Sequence, residues 1–116
     1  MDRLFKAFYN SLAAWRHLIA SEKAFQQEAA LLAAALPIGW FLAADARTYL
    51  MLVGSVILVM IVEVLNTGIE AACDALSREF HADIKIAKDC GSLAVLLSIA
   101  IAAAVWGVAL WERLAG

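Results

Sequence analysis

The stretch TYLMLVGSVILVMIVEVLNTGIEAACDA, residues 48–75, is apolar except for a few positions that include two glutamates, Glu63 and Glu70. Residues 48–62 carry no charge, and the whole run is long enough to predict a helix that crosses a membrane. A charged side chain is costly inside a bilayer, so ionisable residues there are paired, face water or serve a function. The two glutamates are therefore the first candidates for functional residues.

Two further polar residues follow the same face of this predicted helix. Glu63, Asn66, Glu70 and Asp74 stand at i, i+3, i+7 and i+11, which places all four on one side, called the polar seam below. The seam covers roughly 10 Å of helix axis between the two glutamates. We expect Glu63 to lie within the apolar zone and Glu70 at its cytoplasmic edge.

The composition supports a membrane protein and excludes several functions. The 116 residues are 65% hydrophobic, which is more than a soluble fold of this size could hide from water. The net charge of −2, without a cluster of Lys and Arg, leaves no basic surface for nucleic acid. Cys73 and Cys90 lack the spacing of a metal site, and we expect both to be reduced packing residues. No signal-peptide signature is present, so the N-terminus is expected to belong to the mature protein.

Three more segments have helical character, and together they predict an all-α membrane protein with one domain over residues 1–116. Residues 3–20 carry an apolar stripe opposite a basic face, which is typical of a helix lying on the membrane surface; the alternative is a helix packed against protein. Apolar stretches at about 28–45 and 88–113 join residues 48–75 as three predicted transmembrane helices, the last with 22 consecutive uncharged residues. Small residues are frequent in these spans, and three short spans hardly enclose a buried site. We therefore expect an oligomeric helical bundle.

The basic residues set the orientation of the three predicted spans. Seven Lys and Arg side chains precede the first span or lie between the second and third, against two on the other side. This asymmetry places the N-terminus in the cytoplasm and the C-terminus outside.

Three functions could use the polar seam. The acids could pair with basic residues to hold an oligomer together, although the available cations lie near the cytoplasmic edge. A lone intramembrane glutamate could exchange protons for a substrate, as in small multidrug exporters, but those proteins have four spans and carry the glutamate in the first. In an enzyme, a deep carboxylate is suited to accept a proton from a lipid hydroxyl, and shallower ones to hold Mg²⁺ on a phosphate donor.

The enzymatic interpretation is favoured by other residues at the same membrane edge. Glu22 and Glu28 precede the first span and could supply oxygen ligands, and Lys88 at the start of the third span could meet phosphates. The chain has no Walker loop, GxGxxG motif or protein-kinase motif set, so any phosphoryl transfer would use an unusual scaffold.

Three motifs resemble the bacterial integral-membrane diacylglycerol kinases: EKAFQQE at 22–28, MIVEVLNTGIEAACD at 60–74 and AKDCGSLAVLL at 87–97. The resemblance covers nearly the whole chain. It implies a homotrimer in the bacterial inner membrane that transfers the γ-phosphate of MgATP to the free hydroxyl of diacylglycerol, giving phosphatidic acid at sites shared between subunits. Undecaprenol kinase has the same fold and is the alternative, but the surface helix and the SREFH loop at 77–81 favour diacylglycerol.

The resemblance also implies a role for individual residues. Glu63 is expected to be the general base with Asn66 in support, and Glu22 and Glu70 the Mg²⁺ ligands. The expected nucleotide contacts are Arg3, Asn10, Glu22, Glu70, Glu79, Phe80, His81, Lys88 and Asp89. The expected lipid contacts are Arg3, Ala24, Phe25, Gln26, Gln27, Glu28, Glu63, Ser92 and Trp106. Asn10 departs from the family pattern, in which an aromatic residue is expected at that position.

Overall fold

The computed structural model describes residues 2–116 and consists of four helices, α1 (Asp2–Ser21), α2 (Lys23–Leu42), α3 (Ala46–Leu76) and α4 (Ala82–Ala115). No β-strand occurs within residues 2–116, which confirms the predicted all-α class. Glu22 alone separates α1 from α2, while residues 43–45 and 77–81 connect the later helices. These two short connections make α3 an antiparallel neighbour of both α2 and α4.

α3 is the central helix of the fold. It packs along both α2 and α4, whereas α2 and α4 contact each other only slightly. Near the α2–α3 connection, the Tyr49 hydroxyl donates a hydrogen bond of 2.9 Å to Leu36 O. From α4, Trp106 Nε1 donates to Leu52 O at 3.0 Å and to Ser55 Oγ at 3.1 Å. These bonds fix the relative register of the three helices.

Large apolar side chains remain exposed on the long helices. α4 buries only Gly91, Ser98 and Ala109 among its 34 residues, while side chains such as Leu96 and Ile101 are exposed. Monomeric soluble proteins rarely expose contiguous apolar surface on this scale. The chain therefore fits surroundings of lipid or of further subunits better than water.

Within residues 2–116, two helices, α3 and α4, are long and apolar enough to cross a membrane. Their 31 and 34 residues correspond to roughly 46 and 51 Å of helix. α2 has 20 residues, about 30 Å, but Gln26, Gln27 and Glu28 in its first turns lower its mean hydropathy. The structure thus supports two of the three predicted spans, and the third stays a prediction.

α1 covers the segment that was predicted to lie on the membrane surface. Its last turns are held in place because Trp15 packs edge-on against Phe25 with ring centroids 5.0 Å apart, and Gln26 Nε2 donates to Ile19 O at 2.9 Å. Farther towards the N-terminus, Leu4 and Phe8 are exposed, so this part of the apolar stripe is not covered by the chain itself. Contact of this stripe with a membrane surface stays a prediction.

The two cysteines have different environments. Both are free thiols, and Cys73 is buried as predicted. Cys90 is exposed on α4, so the packing role predicted for it is wrong within the single chain.

α3 and α4 are in close contact at Gly91. A Cβ atom placed on this glycine would overlap Oδ1 of Asn66 and lie 3.1 Å from its Cγ. The side chain of Asn66 is itself buried. Glycine at this position therefore allows a polar side chain of the seam to occupy the space between the two helices.

We expect Gly91→Ala to lower the free energy of unfolding by about 1–3 kcal/mol, because the added methyl group must displace Asn66 or separate the helices. Unfolding of the purified protein in detergent micelles measures this loss. Gly107→Ala on the same helix is the matched control, since nothing lies within 4 Å of a Cβ at that position. Equal stability of the two variants would contradict the close approach at Gly91.

Candidate active site

The polar seam runs from a buried end to an exposed end along α3. Glu63 and Asn66 are buried at 9% and 7% exposure, whereas Asp74 is half-buried and Glu70 is exposed. Asn66 Nδ2 donates a hydrogen bond of 3.0 Å to Glu70 Oε1, which links adjacent members of the seam. Glu63 is thus enclosed by the chain and Glu70 lies at the exposed rim, while their depths in the membrane stay a prediction.

Other carboxylates gather around the buried end of the seam. Glu22 and Glu70 lie close enough to Glu63 to repel its negative charge, and Glu63 lies within the same range of Glu28. Glu28 is buried on α2, and its Oε1 has no hydrogen-bond partner. Within residues 2–116, none of these four acids forms an ion pair. The cluster has an unsatisfied demand for positive charge or for hydrogen-bond donors.

The donor set of this cluster suits a hard divalent cation. No group of three His, Cys, Asp or Glu side chains in the described part of the chain is close enough to hold a metal alone. Mg²⁺ usually binds through one or two carboxylates and completes its shell with water and substrate phosphates. Glu22 and Glu70 are therefore suitable in chemical type for a partial site of this kind, and their role as Mg²⁺ ligands stays a prediction.

Lys88 is the cation nearest to the seam. Its Nζ donates to Asp74 Oδ1 at 2.9 Å and lies close enough to Glu70 to interact with its charge. The next residue, Asp89, is turned away on α4 and accepts a hydrogen bond of 2.7 Å from Lys85 Nζ. The two adjacent residues predicted to contact nucleotide thus have separate partners.

The other predicted nucleotide contacts are exposed residues outside the carboxylate cluster. Glu79, Phe80 and His81 are exposed in the connection between α3 and α4. Arg3 and Asn10 are exposed on α1, roughly 28 and 18 Å of helix away from Glu22. A single chain therefore does not bring the two α1 residues to the carboxylate cluster.

An apolar groove of about 520 Å³ leads away from the buried end of the seam. It runs between α2 and α4, with α3 as its floor, and four predicted lipid contacts line it: Ala24, Gln27, Glu28 and Trp106. The polar residues Gln27 and Glu28 stand at the end near Glu63, and the indole of Trp106 is fixed by its hydrogen bonds to α3. A groove that is apolar along its length and polar at one end suits a lipid with a hydroxyl head.

The remaining predicted lipid contacts have other surroundings. Phe25 belongs to a small core with Leu18 and Met60, and Gln26 bonds to α1. Ser92 is exposed on α4 and does not line the groove. Phe25 and Gln26 thus connect α1 to α2 in this chain.

Most of the groove lining was not identified from the sequence. The additional side chains are apolar and small or branched: Leu31, Ala34, Ala35, Ile38, Val56, Val59, Ile99, Ala102 and Ala103. The groove residues on α2 follow Ala24, Gln27 and Glu28 at spacings of three or four residues, and this spacing is a signal that they share one face of the helix. The signal is weak because the other faces of these helices are equally apolar.

Comparison with known proteins agrees with the resemblance of the three motifs. The family described as prokaryotic diacylglycerol kinase matches residues 9–110. Diacylglycerol kinase of Escherichia coli strain K12 is 42% identical over 111 residues, covering 96% of this chain and 91% of the relative. The proteins of the same name from Haemophilus influenzae and Pseudomonas aeruginosa are 33% and 31% identical, and cover 84% and 95% of this chain and 82% and 89% of their own lengths. The chain belongs to the prokaryotic diacylglycerol kinase family.

Proposed function

We propose that this chain is an ATP-dependent diacylglycerol kinase of the bacterial membrane. It transfers the γ-phosphate of MgATP to the free hydroxyl of 1,2-diacylglycerol and forms phosphatidic acid. The observation that carries the proposal is that Glu28, which lines the polar end of the groove, lies close enough to Glu63 for their charges to interact, so the groove ends beside the acidic cluster. The names of its relatives support the same substrate.

Glu63 is the general base of the proposed reaction. The lipid hydroxyl at the mouth of the groove transfers its proton to this carboxylate as the hydroxyl oxygen bonds to the γ-phosphorus. The bond between the γ-phosphorus and the oxygen bridging to the β-phosphate breaks, and ADP leaves. Asn66 supports the reacting centre by holding Glu70 through Nδ2, while its buried Oδ1 packs against Gly91.

The nucleotide lies on the outer half of the seam in this proposal. Glu22 and Glu70 hold Mg²⁺, which, when bound, neutralises charge on the phosphates. Lys88 supplies a point charge to the phosphate oxygens. The other proposed nucleotide contacts are Arg3, Asn10, Glu79, Phe80, His81 and Asp89. The proposed lipid contacts outside the groove are Arg3, Phe25, Gln26 and Ser92.

We further propose a homotrimer whose subunits each have three spans, with the N-terminus in the cytoplasm and the C-terminus outside. The length of α2 and its antiparallel packing on α3 support it as the remaining span. The exposed apolar faces of α4 support contact between subunits. The distance of Arg3 from the carboxylate cluster supports a site that is completed by a neighbouring chain.

The first prediction from the proposed function concerns Glu63 as the general base. Glu63→Gln keeps the shape of the side chain but cannot accept the proton, so kcat should fall about 10²- to 10⁴-fold while the KM for ATP changes about twofold or less. The measurement is phosphatidate formation by purified protein in micelles with MgATP and dioleoylglycerol. Glu112→Gln, an exposed carboxylate at the far end of α4, is the control. Equal turnover of Glu63→Gln and wild type would refute the base assignment.

The second prediction concerns the groove. Ala102→Leu fills part of the groove and should lower kcat/KM for dioleoylglycerol about tenfold, with little change in the KM for ATP. Ala104→Leu is the matched control because Ala104 is exposed on the same helix and does not line the groove. The assignment of the groove to lipid fails if both variants have the same lipid kinetics.

The third prediction separates the diacylglycerol and undecaprenol alternatives. Wild-type protein assayed side by side should phosphorylate dioleoylglycerol with a higher kcat/KM than undecaprenol. Preference for the polyprenol would reassign the substrate without affecting the kinase mechanism. Export of a cationic dye from vesicles, driven by a proton gradient without ATP, would instead support the transporter alternative.

A further inference from the structure

The ion pair between Lys88 and Asp74 is unlike the other ion pairs of the described chain. It joins α3 to α4 across the connecting loop at 2.9 Å. The other two pairs in residues 2–116 each join residues four apart, Arg78 with Asp74 at 3.9 Å and Lys85 with Asp89 at 2.7 Å. Only the Lys88 pair therefore ties the position of one helix to a side chain of the next.

The location of Asp74 determines where the Lys88 ammonium group is held. Asp74 lies one turn beyond Glu70 on the same face of α3. A lysine side chain is long and flexible, so without a partner its charge would be spread over many positions. Gly91, one turn along α4, allows the helices to close and brings Lys88 within reach of α3. The pair keeps the charge beside the exposed end of the seam.

The chemistry of the pair leaves Lys88 able to bind a further ligand. An ammonium group has three N–H donors, and the hydrogen bond to Asp74 uses one of them. The side chains of Lys88 and Asp74 are 42% and 35% exposed, so the remaining donors are accessible. Phosphate oxygens beside Glu70 would lie near the ammonium group of Lys88.

We propose that Asp74 is a positioning residue that orients Lys88 towards the nucleotide phosphates. This inference rests on the proposed function, because it takes the phosphates to lie at the exposed end of the seam. A purely structural role is a poor account of the pair, since exposed ion pairs contribute at most about 1 kcal/mol to stability. Asp74 should therefore affect the use of ATP more than it affects unfolding.

The test is a double-mutant cycle in the micelle assay with saturating dioleoylglycerol. Asp74→Ala should raise the KM for MgATP about fivefold, with kcat within about twofold of wild type and an unchanged unfolding midpoint. Asp74→Asn keeps a hydrogen-bond acceptor and should give an intermediate KM. In a Lys88→Ala background, Asp74→Ala should have no further effect on the KM, because its partner is already absent. Arg78→Ala is the control, since Arg78 reaches the same carboxylate but is 83% exposed.

Three results would overturn the inference. A lower KM for MgATP in Asp74→Ala would show that Asp74 competes with phosphate for Lys88. Additive effects in the cycle would show that Asp74 acts independently of Lys88, and an unchanged KM would show that it has no role in binding. Wild-type protein that neither turns over nor binds MgADP would instead overturn the proposed function together with this inference.

Discussion

The buried carboxylate of Glu63 is the constraint on which the site depends. It lies in an apolar helix, and its charged neighbours are the further acids Glu22, Glu28 and Glu70 rather than cations. Acids gathered in this way repel one another, and the repulsion is relieved only when protons or a cation occupy the space between them. The fold therefore gives up some stability at this point. In return, the cluster favours the binding of a cation, whose charge offsets that of the carboxylates.

One face of α3 connects the two halves of the proposed reaction. Val56 and Val59 form the floor of the apolar groove, and Glu63, Asn66 and Glu70 continue the same face at spacings of three and four residues. The face changes from apolar to acidic at Glu63. A lipid hydroxyl in the groove and a phosphate at the rim would therefore meet at this residue. Phosphoryl transfer needs little more from a protein than such alignment and the neutralisation of charge.

The sequence predicted the seam much better than the groove. Glu63 and Glu70 stand out in an apolar run, and helical spacing alone assigns them to one face of α3. Residues such as Ala35 and Ala102 could not be assigned, because small apolar side chains occur on every face and only packing decides which ones border the groove. The hydrogen bond from Lys88 to Asp74 depends on how α3 and α4 pack against each other. The residue pattern of a single helix does not predict that packing.

The proposed site is incomplete in a single copy of the chain. Glu70, Asp74 and Lys88 lie together at the rim. No three-ligand metal group forms within residues 2–116, however, and Arg3 lies roughly 28 Å of helix from Glu22. The apolar face of α4 is exposed at the same time. Association of copies would remove both deficits, because it covers the apolar faces and brings a second chain's polar residues to the rim. A site divided between subunits makes catalysis depend on assembly, so the hydrophobic contacts of α4 would support activity as well as stability.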